Sequence, residues 1–280
     1  MRLGVTMFAT DLAMSPVELA REAEARGFAS LYVPEHTHIP ISRRTPPPTG
    51  DAELAEEYKR SLDPWAALAA AAAVTSRIRL GTGVALVAQH DPIALAKQIA
   101  TVDLLSRGRV VVGVGFGWNR EEMADHGVAY ATRRAHVREV MLAMEALWAS
   151  EVAGFEGEFV RFEPCWQWPK PVQQPRPKVL LGGAAGPKLF AHVAEYGDGW
   201  LPIGGAGLRE ALPALREAVA ARGRDPSALE IVPLGVLPSA AKLAHYASIG
   251  VTEAVLRLPS APRDAVLPLL DDYAKLAASV

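Results

Sequence analysis

The chain has 280 residues, of which 50% are hydrophobic and 21% charged, a length and composition that suit a globular protein with a large core and argue against disorder. Its formal net charge is only −2 and it has no long Lys/Arg block, so it lacks the electrostatic footprint of a nucleic-acid or anionic-membrane partner. Cys165 is the only cysteine; with no partner thiol and no secretory pattern at the start, the expected compartment is a reducing cytoplasm.

Strand-like and helix-like runs alternate from end to end. LGVTMF (3–8) is the first strand. Ser15-Pro16 then supplies a cap and a first helical residue, and the helix stops at Gly27. SLYVPEH (30–36) is the second strand, followed by the polar, proline-rich PISRRTPPPTG (40–50). An Ala-rich helix, capped by Ser61 or Asp63, runs to about Ser76. Its apolar run WAALAAAAAV (65–74) falls well short of the ~20 residues that cross a bilayer, so it is read as a buried helix. IRLGTGVAL (78–86) is the third strand, and Asp91-Pro92 opens a helix to Leu105. RVVVGVGFGWNREE (109–122) supplies strand four, and a long helix spans 133–149.

Residues 150–178 break the rhythm, reading as a small hairpin followed by a proline-rich return. KVLLGG (178–183), DGWLPI (198–203), LEIVPLGVLP (229–238) and TEAVLRLP (252–259) complete eight strand–helix units. Continuous apolar strands suit a parallel sheet covered on both faces, and eight such units suit closure. The expected fold is a single (β/α)8 TIM-barrel domain over 1–280, with the hairpin as an insertion. An open doubly wound sheet is the runner-up. It would need G-x-G-x-x-G on its first strand, whereas Gly113, Gly115 and Gly117 give G-x-G-x-G on the fourth.

In a barrel the chemistry sits at the C-terminal ends of the strands. Here those ends carry Phe8-Ala9, Glu35-His36, Gly83-Val84-Ala85, the Gly115–Asn119 stretch and Gly182-Gly183-Ala184, while the last three strands end in Pro202, Pro238 and Pro259. The late strands offer no acid, base or ligand. That disfavours a metal site, since His36-x-His38 lacks a third ligand. G-x-S-x-G is absent and Cys165 lies in the insertion, which disfavours a serine or cysteine nucleophile. A flat, mostly apolar ligand fits better.

LYVPEH, RLGTGV, RGRVVVGVGFGWNREE and VLLGGAAGPKLFAHVAEYGDGW, in that order, resemble the bacterial luciferase-like superfamily, and specifically its coenzyme F420 (deazaflavin)-dependent oxidoreductases. The resemblance covers nearly the whole chain and implies a flavin or deazaflavin in the barrel mouth. His36 matches the strand-two histidine that handles the substrate proton, a task suited to an imidazole, and Glu35 matches its acidic neighbour. The competing roles are structural, a loop histidine bonded to backbone and a buried carboxylate serving the fold. Gly83-Val84 matches a non-prolyl cis peptide that backs the ring. Gly113, Gly115 and Gly117 bring backbone close to the ligand, Trp118 and Asn119 face the ring or its ribityl chain, and the alternative for them is a packed strand end. Phosphate is expected at Gly182, Gly183 and Ala184, before a helix opening near Gly186-Pro187; no Arg or Lys lies in GGAAG, and Lys188 is the first cation.

The resemblance leaves two other functions open. One is an FMN-dependent monooxygenase of the same fold, fed by a separate reductase; the other is a non-catalytic flavin-binding relative. A homodimer is expected from the family and from the Ala/Leu-rich helices at 63–76 and 91–105. The apolar mouth implies a small, largely nonpolar substrate.

Overall fold

The computed structural model describes residues 1–47, 50 and 53–277; Pro48 and Thr49 of the proline-rich stretch lie outside the described residues. The first half of the chain runs β1 (Arg2–Thr6), α1 (Pro16–Ala25), β2 (Ser30–Val33), α2 (Glu56–Lys59), α3 (Pro64–Ala73), β3 (Arg79–Thr82), α4 (Pro92–Ser106), β4 (Val110–Val114), α5 (Arg120–Asp125) and α6 (Arg133–Ala149). The insertion is β5 (Val152–Glu156) and β6 (Arg161–Trp166). The second half runs β7 (Lys178–Gly182), α7 (Pro187–Tyr196), β8 (Gly199–Leu201), α8 (Leu208–Ala220), β9 (Glu230–Ile231), β10 (Leu234–Val236), α9 (Ala240–Ser248), β11 (Glu253–Arg257) and α10 (Arg263–Ala277).

Three helices start by one device. Ser15, Asp63 and Asp91 each precede a proline, and each accepts a hydrogen bond from the amide three residues on, that of Glu18, Ala66 and Ala94 respectively. The proline fixes a helical φ where no amide partner is needed, and the side chain satisfies an amide the helix leaves free. Between the two candidates for the third helix, the structure selects Asp63. The short helices α2 and α5 were not anticipated by the periodicity.

Among the described residues, nine parallel strands form the main sheet in the order β10-β11-β1-β2-β3-β4-β7-β8-β9. This corrects the expectation of a closed ring of eight. The expected seventh strand is split into β9 and β10, which stand at opposite ends of the ladder with Val232 and Pro233 between them. Pro233 has no amide to donate, so regular pairing lapses there. Its carbonyl still accepts from Val255, and Val232 and Leu234 donate to Trp200 and Pro202. The insertion forms its own antiparallel pair, β5 with β6. The Glu139 carboxylate on α6 anchors its turn by accepting from the amides of Glu158, Phe159 and Val160.

Apolar side chains fill both faces of the sheet. Tyr32, Val111, Leu180, Leu201, Val232, Leu234 and Val255 pack on the concave side with Val84 above them, and a larger core lies between strands and helices. The first residues of β1, β3, β7, β9 and β11 are all charged: Arg2, Arg79, Lys178, Glu230 and Glu253. They form one network, with Arg2 and Arg79 each bridging both glutamates and Lys178 reaching Glu230 at 2.5 Å. This plug occupies the N-terminal ends of the strands and leaves the opposite end to the loops.

Candidate functional site

At the C-terminal end of β2 the chain turns through Glu35 and His36, both buried. His36 Nδ1 lies 2.8 Å from Glu122 Oε2, and the other oxygen of that fully buried carboxylate accepts from the Thr37 amide. The carboxylate thereby fixes both ring orientation and tautomer, because only a protonated Nδ1 makes that bond. Tyr58 and Trp118 flank the imidazole with ring centroids at 5.3 and 5.7 Å, and Phe8 packs on Tyr58 at 4.8 Å. An imidazole oriented by a carboxylate beside an aromatic wall is suited to moving a proton.

Glu35 points elsewhere. Its Oε2 accepts from the Leu86 amide at 2.6 Å and its Oε1 lies 2.7 Å from His90 Nε2. Burial works against a charge on His90, but the Glu35 hydrogen bond and charge, with Asp63 beyond, outweigh it and raise the imidazole above its usual value. The structure thus pairs His36 with Glu122 rather than with its chain neighbour.

The segment after β3 is held from both sides. Gly83 donates to Val33, Ala85 donates to Gly113, and Gly115 donates to Ala85. The Gly83–Val84 peptide is cis. The Val84 side chain nests between two glycines: a Cβ on Gly182 would come within 2.9 Å of Val84 Cγ1, and one on Gly115 would overlap Val84 Cγ2. Gly115 and Gly182 therefore make room for Val84, which crowns the inner core and forms the floor of the mouth. Gly117 has φ +74° and a Cβ there would strike Met123 Sδ, so it turns the chain over α5.

Trp118 and Asn119 follow. Trp118 has Arg43 over its ring at 5.9 Å. Asn119 occupies the N-cap of α5 without capping it, is 1% exposed, and both polar atoms of its side chain are buried with no protein partner. A buried, unbonded amide costs ~1 to 3 kcal/mol.

Helix α5 braces the loop after β2. While Glu122 takes His36 and Thr37, Glu121 accepts from the Arg44 amide and the Thr45 hydroxyl, first the hydroxyl and then the amide pushing its carboxyl down to about 2. Asp125 reaches His38, and His126 reaches Thr37.

At the end of β7, Gly183 has φ +135° and its carbonyl accepts from the Trp200 indole at 2.9 Å. Ala184 is exposed ahead of α7, whose N-terminus has no side-chain cap. Lys188 is exposed. Two further cations come from α6. Arg134 lies over the Phe116 ring at 4.4 Å, and Phe116 in turn packs against His192 of α7 at 5.2 Å. Arg134 Nη1 and Arg133 Nε are buried without protein partners. Burial and then the Arg133 charge lower Arg134 below the usual guanidinium value. No group of three or more His, Cys, Asp or Glu side chains suited to a metal occurs among the described residues.

Glu122, Tyr58, His90 and the Arg133–Arg134 pair stand among these residues and were not singled out by the sequence reading. Glu122 lies inside the quoted GFGWNREE motif, where a second consecutive glutamate gives no sign of being the buried one.

Residues 13–248 match the family model for luciferase-like monooxygenases. An uncharacterized protein of Mycobacterium tuberculosis is 49% identical over the full length of both chains. An F420-dependent glucose-6-phosphate dehydrogenase of Kineococcus radiotolerans is 29% identical across 82% of this chain and 66% of its own. Among solved structures, a monooxygenase from Streptomyces bottropensis superposes with a TM-score of 0.80 over 100% of this chain and 99% of that one, at 23% identity.

Proposed function

The chain belongs to the luciferase-like monooxygenase family, whose members are oxidoreductases and monooxygenases, and from that premise we propose that it works with coenzyme F420 and exchanges a hydride with a small, largely apolar organic molecule. The observation that carries this reading is the buried His36–Glu122 pair, 2.8 Å apart, inside an aromatic wall. The F420-dependent dehydrogenase among the relatives adds weight to it.

The residues fit a planar ring with an anionic arm. Val84 supplies an apolar floor, and Asn119 offers a buried donor and acceptor that lack partners. Gly183 and Ala184, at an uncapped helix N-terminus, offer amides to a phosphate. Arg134, with a buried guanidinium nitrogen awaiting an acceptor, supplies the cation missing from GGAAG. In this reading β9 and β10 are two halves of one strand; the Ile203–Leu234 bridge and the Arg2–Glu230 ion pair link the two flanks of the sheet.

A bound deazaflavin supplies the hydride chemistry, and the chain's own residues supply the rest. His36 Nδ1 donates to Glu122, so Nε2 carries the lone pair that accepts a hydroxyl proton from an alcohol, or returns it to a carbonyl oxygen in the reverse direction. The Glu122 carboxylate balances the positive charge that the imidazole gains. Phe8, Tyr58 and Trp118 keep water from the reacting groups and favour an apolar substrate.

A fluorescence titration with F420 and with FMN tests the assignment. Tighter binding of F420 is expected. Preference for FMN would overturn it in favour of a monooxygenase fed by a separate reductase, and binding of neither would remove the cofactor reading altogether.

A further inference from the structure

We propose that Glu35 is a positioning residue that sets the floor of the mouth through the segment from Val84 to His90, and that it takes no part in proton transfer. The inference rests on the cofactor reading above. Glu35 is 3% exposed, and both of its carboxylate oxygens are committed: Oε2 to the Leu86 amide at 2.6 Å, Oε1 to His90 at 2.7 Å. Neither bond leads to His36, whose only carboxylate partner among the described residues is Glu122.

The two bonds anchor one short stretch of chain at both ends. Leu86 lies two residues after Val84, and His90 closes the 3-10 turn Val87–Gln89 before α4 begins. The strands on either side already hold Gly83 and Ala85 through their amides, to Val33 and to Gly113. Leu86 is where the chain leaves the sheet, and there Glu35 provides the amide's partner. Remove that acceptor and a buried amide is left unbonded, a state the chain escapes by shifting. Val84 sits in a slot between Gly115 and Gly182 with no slack, so a shift at Leu86 reaches the surface on which a ring would rest.

The test compares wild type with Glu35→Ala, Glu35→Gln and His90→Ala. The amide of Gln keeps an acceptor for Leu86 and a donor for a neutral His90, so it preserves the clamp while abolishing any acid–base capacity. For each protein the melting temperature, the dissociation constant for F420 and for FMN, and the single-turnover rate at saturating cofactor are measured. Glu35→Ala is expected to weaken cofactor binding about tenfold or more, with the saturated rate of the bound fraction close to wild type. Glu35→Gln is expected to restore most of the affinity, and His90→Ala to show a smaller loss of the same kind.

A saturated rate that collapses in Glu35→Gln while affinity holds would make Glu35 an acid or base and overturn the proposal. So would cofactor affinity unchanged in Glu35→Ala, measured well below its melting temperature. If Glu35→Ala does not fold, Glu35→Gln and His90→Ala decide alone: near-normal affinity in the first with weakened affinity in the second supports the clamp, and any other pairing rejects it. Wild type that binds neither cofactor counts against the function proposed above, a failure distinct from this one.

Discussion

At the scale of single residues, the sharpest expectation concerns His36. His36→Ala is expected to keep most of its cofactor affinity and to lose ~10² to 10⁴ in turnover, since a base acting on the substrate proton is felt in the transition state. A purely bracing role forecasts a lower melting temperature and weaker cofactor binding together, with single-turnover rate in the bound fraction unchanged; measuring all three on one preparation separates the two. Asn119 gives a complementary case. Because its buried amide has no protein partner, Asn119→Leu is expected to leave the melting temperature of the cofactor-free protein level or higher while weakening cofactor binding. A lower melting temperature with intact binding would show that the amide serves the fold. The positions of His36 and Asn119 at strand ends were legible in the sequence, because a strand's apolar run ends visibly. The partner of His36 was not. Glu122 follows Glu121 in a charged helix start, and which of the two turns inward depends on α5 lying across the loop after β2, a tertiary fact.

The element scale was read best where a local device marks an end. Ser15, Asp63 and Asp91, each with its proline, start helices where expected, and the hairpin insertion appears where the rhythm breaks. Helices α2 and α5, of 4 and 6 residues, are too short to carry a period of 3.6, and so escaped. The split of the seventh strand was written in Pro233, but an apolar run around a proline reads as one strand. The glycines taught something else. Gly115 and Gly182 were read as places for a ligand to approach, whereas their missing side chains are filled by Val84. Gly182→Ala is accordingly expected to destabilise by ~1 to 3 kcal/mol through overpacking and to weaken cofactor binding by lifting Val84. A pairing with Val84→Ala checks this: relief of the stability loss in the double variant marks the contact, and simple additivity denies it.

For the molecule as a whole, the charged plug beneath the strands is expected to contribute to the response to acid. Burial would raise Glu230, but the Arg79 charge and the hydrogen bonds from Lys178 and Arg79 bring its carboxyl below the ordinary value. A depressed carboxylate contributes stability that is fully present above its unfolded value and is lost as pH falls through the folded one. Melting temperature should therefore drop on the acid side of that unfolded value, and Glu230→Gln should start lower at neutral pH yet fall less steeply; parallel curves for the two proteins would refute the role of the plug. The plug also leaves an uneven division across the opposite end. In the proposed function, proton handling and ring contacts fall to the loops after β2, β3, β4 and β7, whereas β8 and β10 are followed by Pro202, Ile203, Leu237 and Pro238, with Ile203 and Leu237 exposed. A lineage can therefore rewrite the second group without touching the machinery in the first. Laboratory selection for new substrates should accumulate its changes there, making that side of the rim the evolvable part of the chain and the other its inheritance.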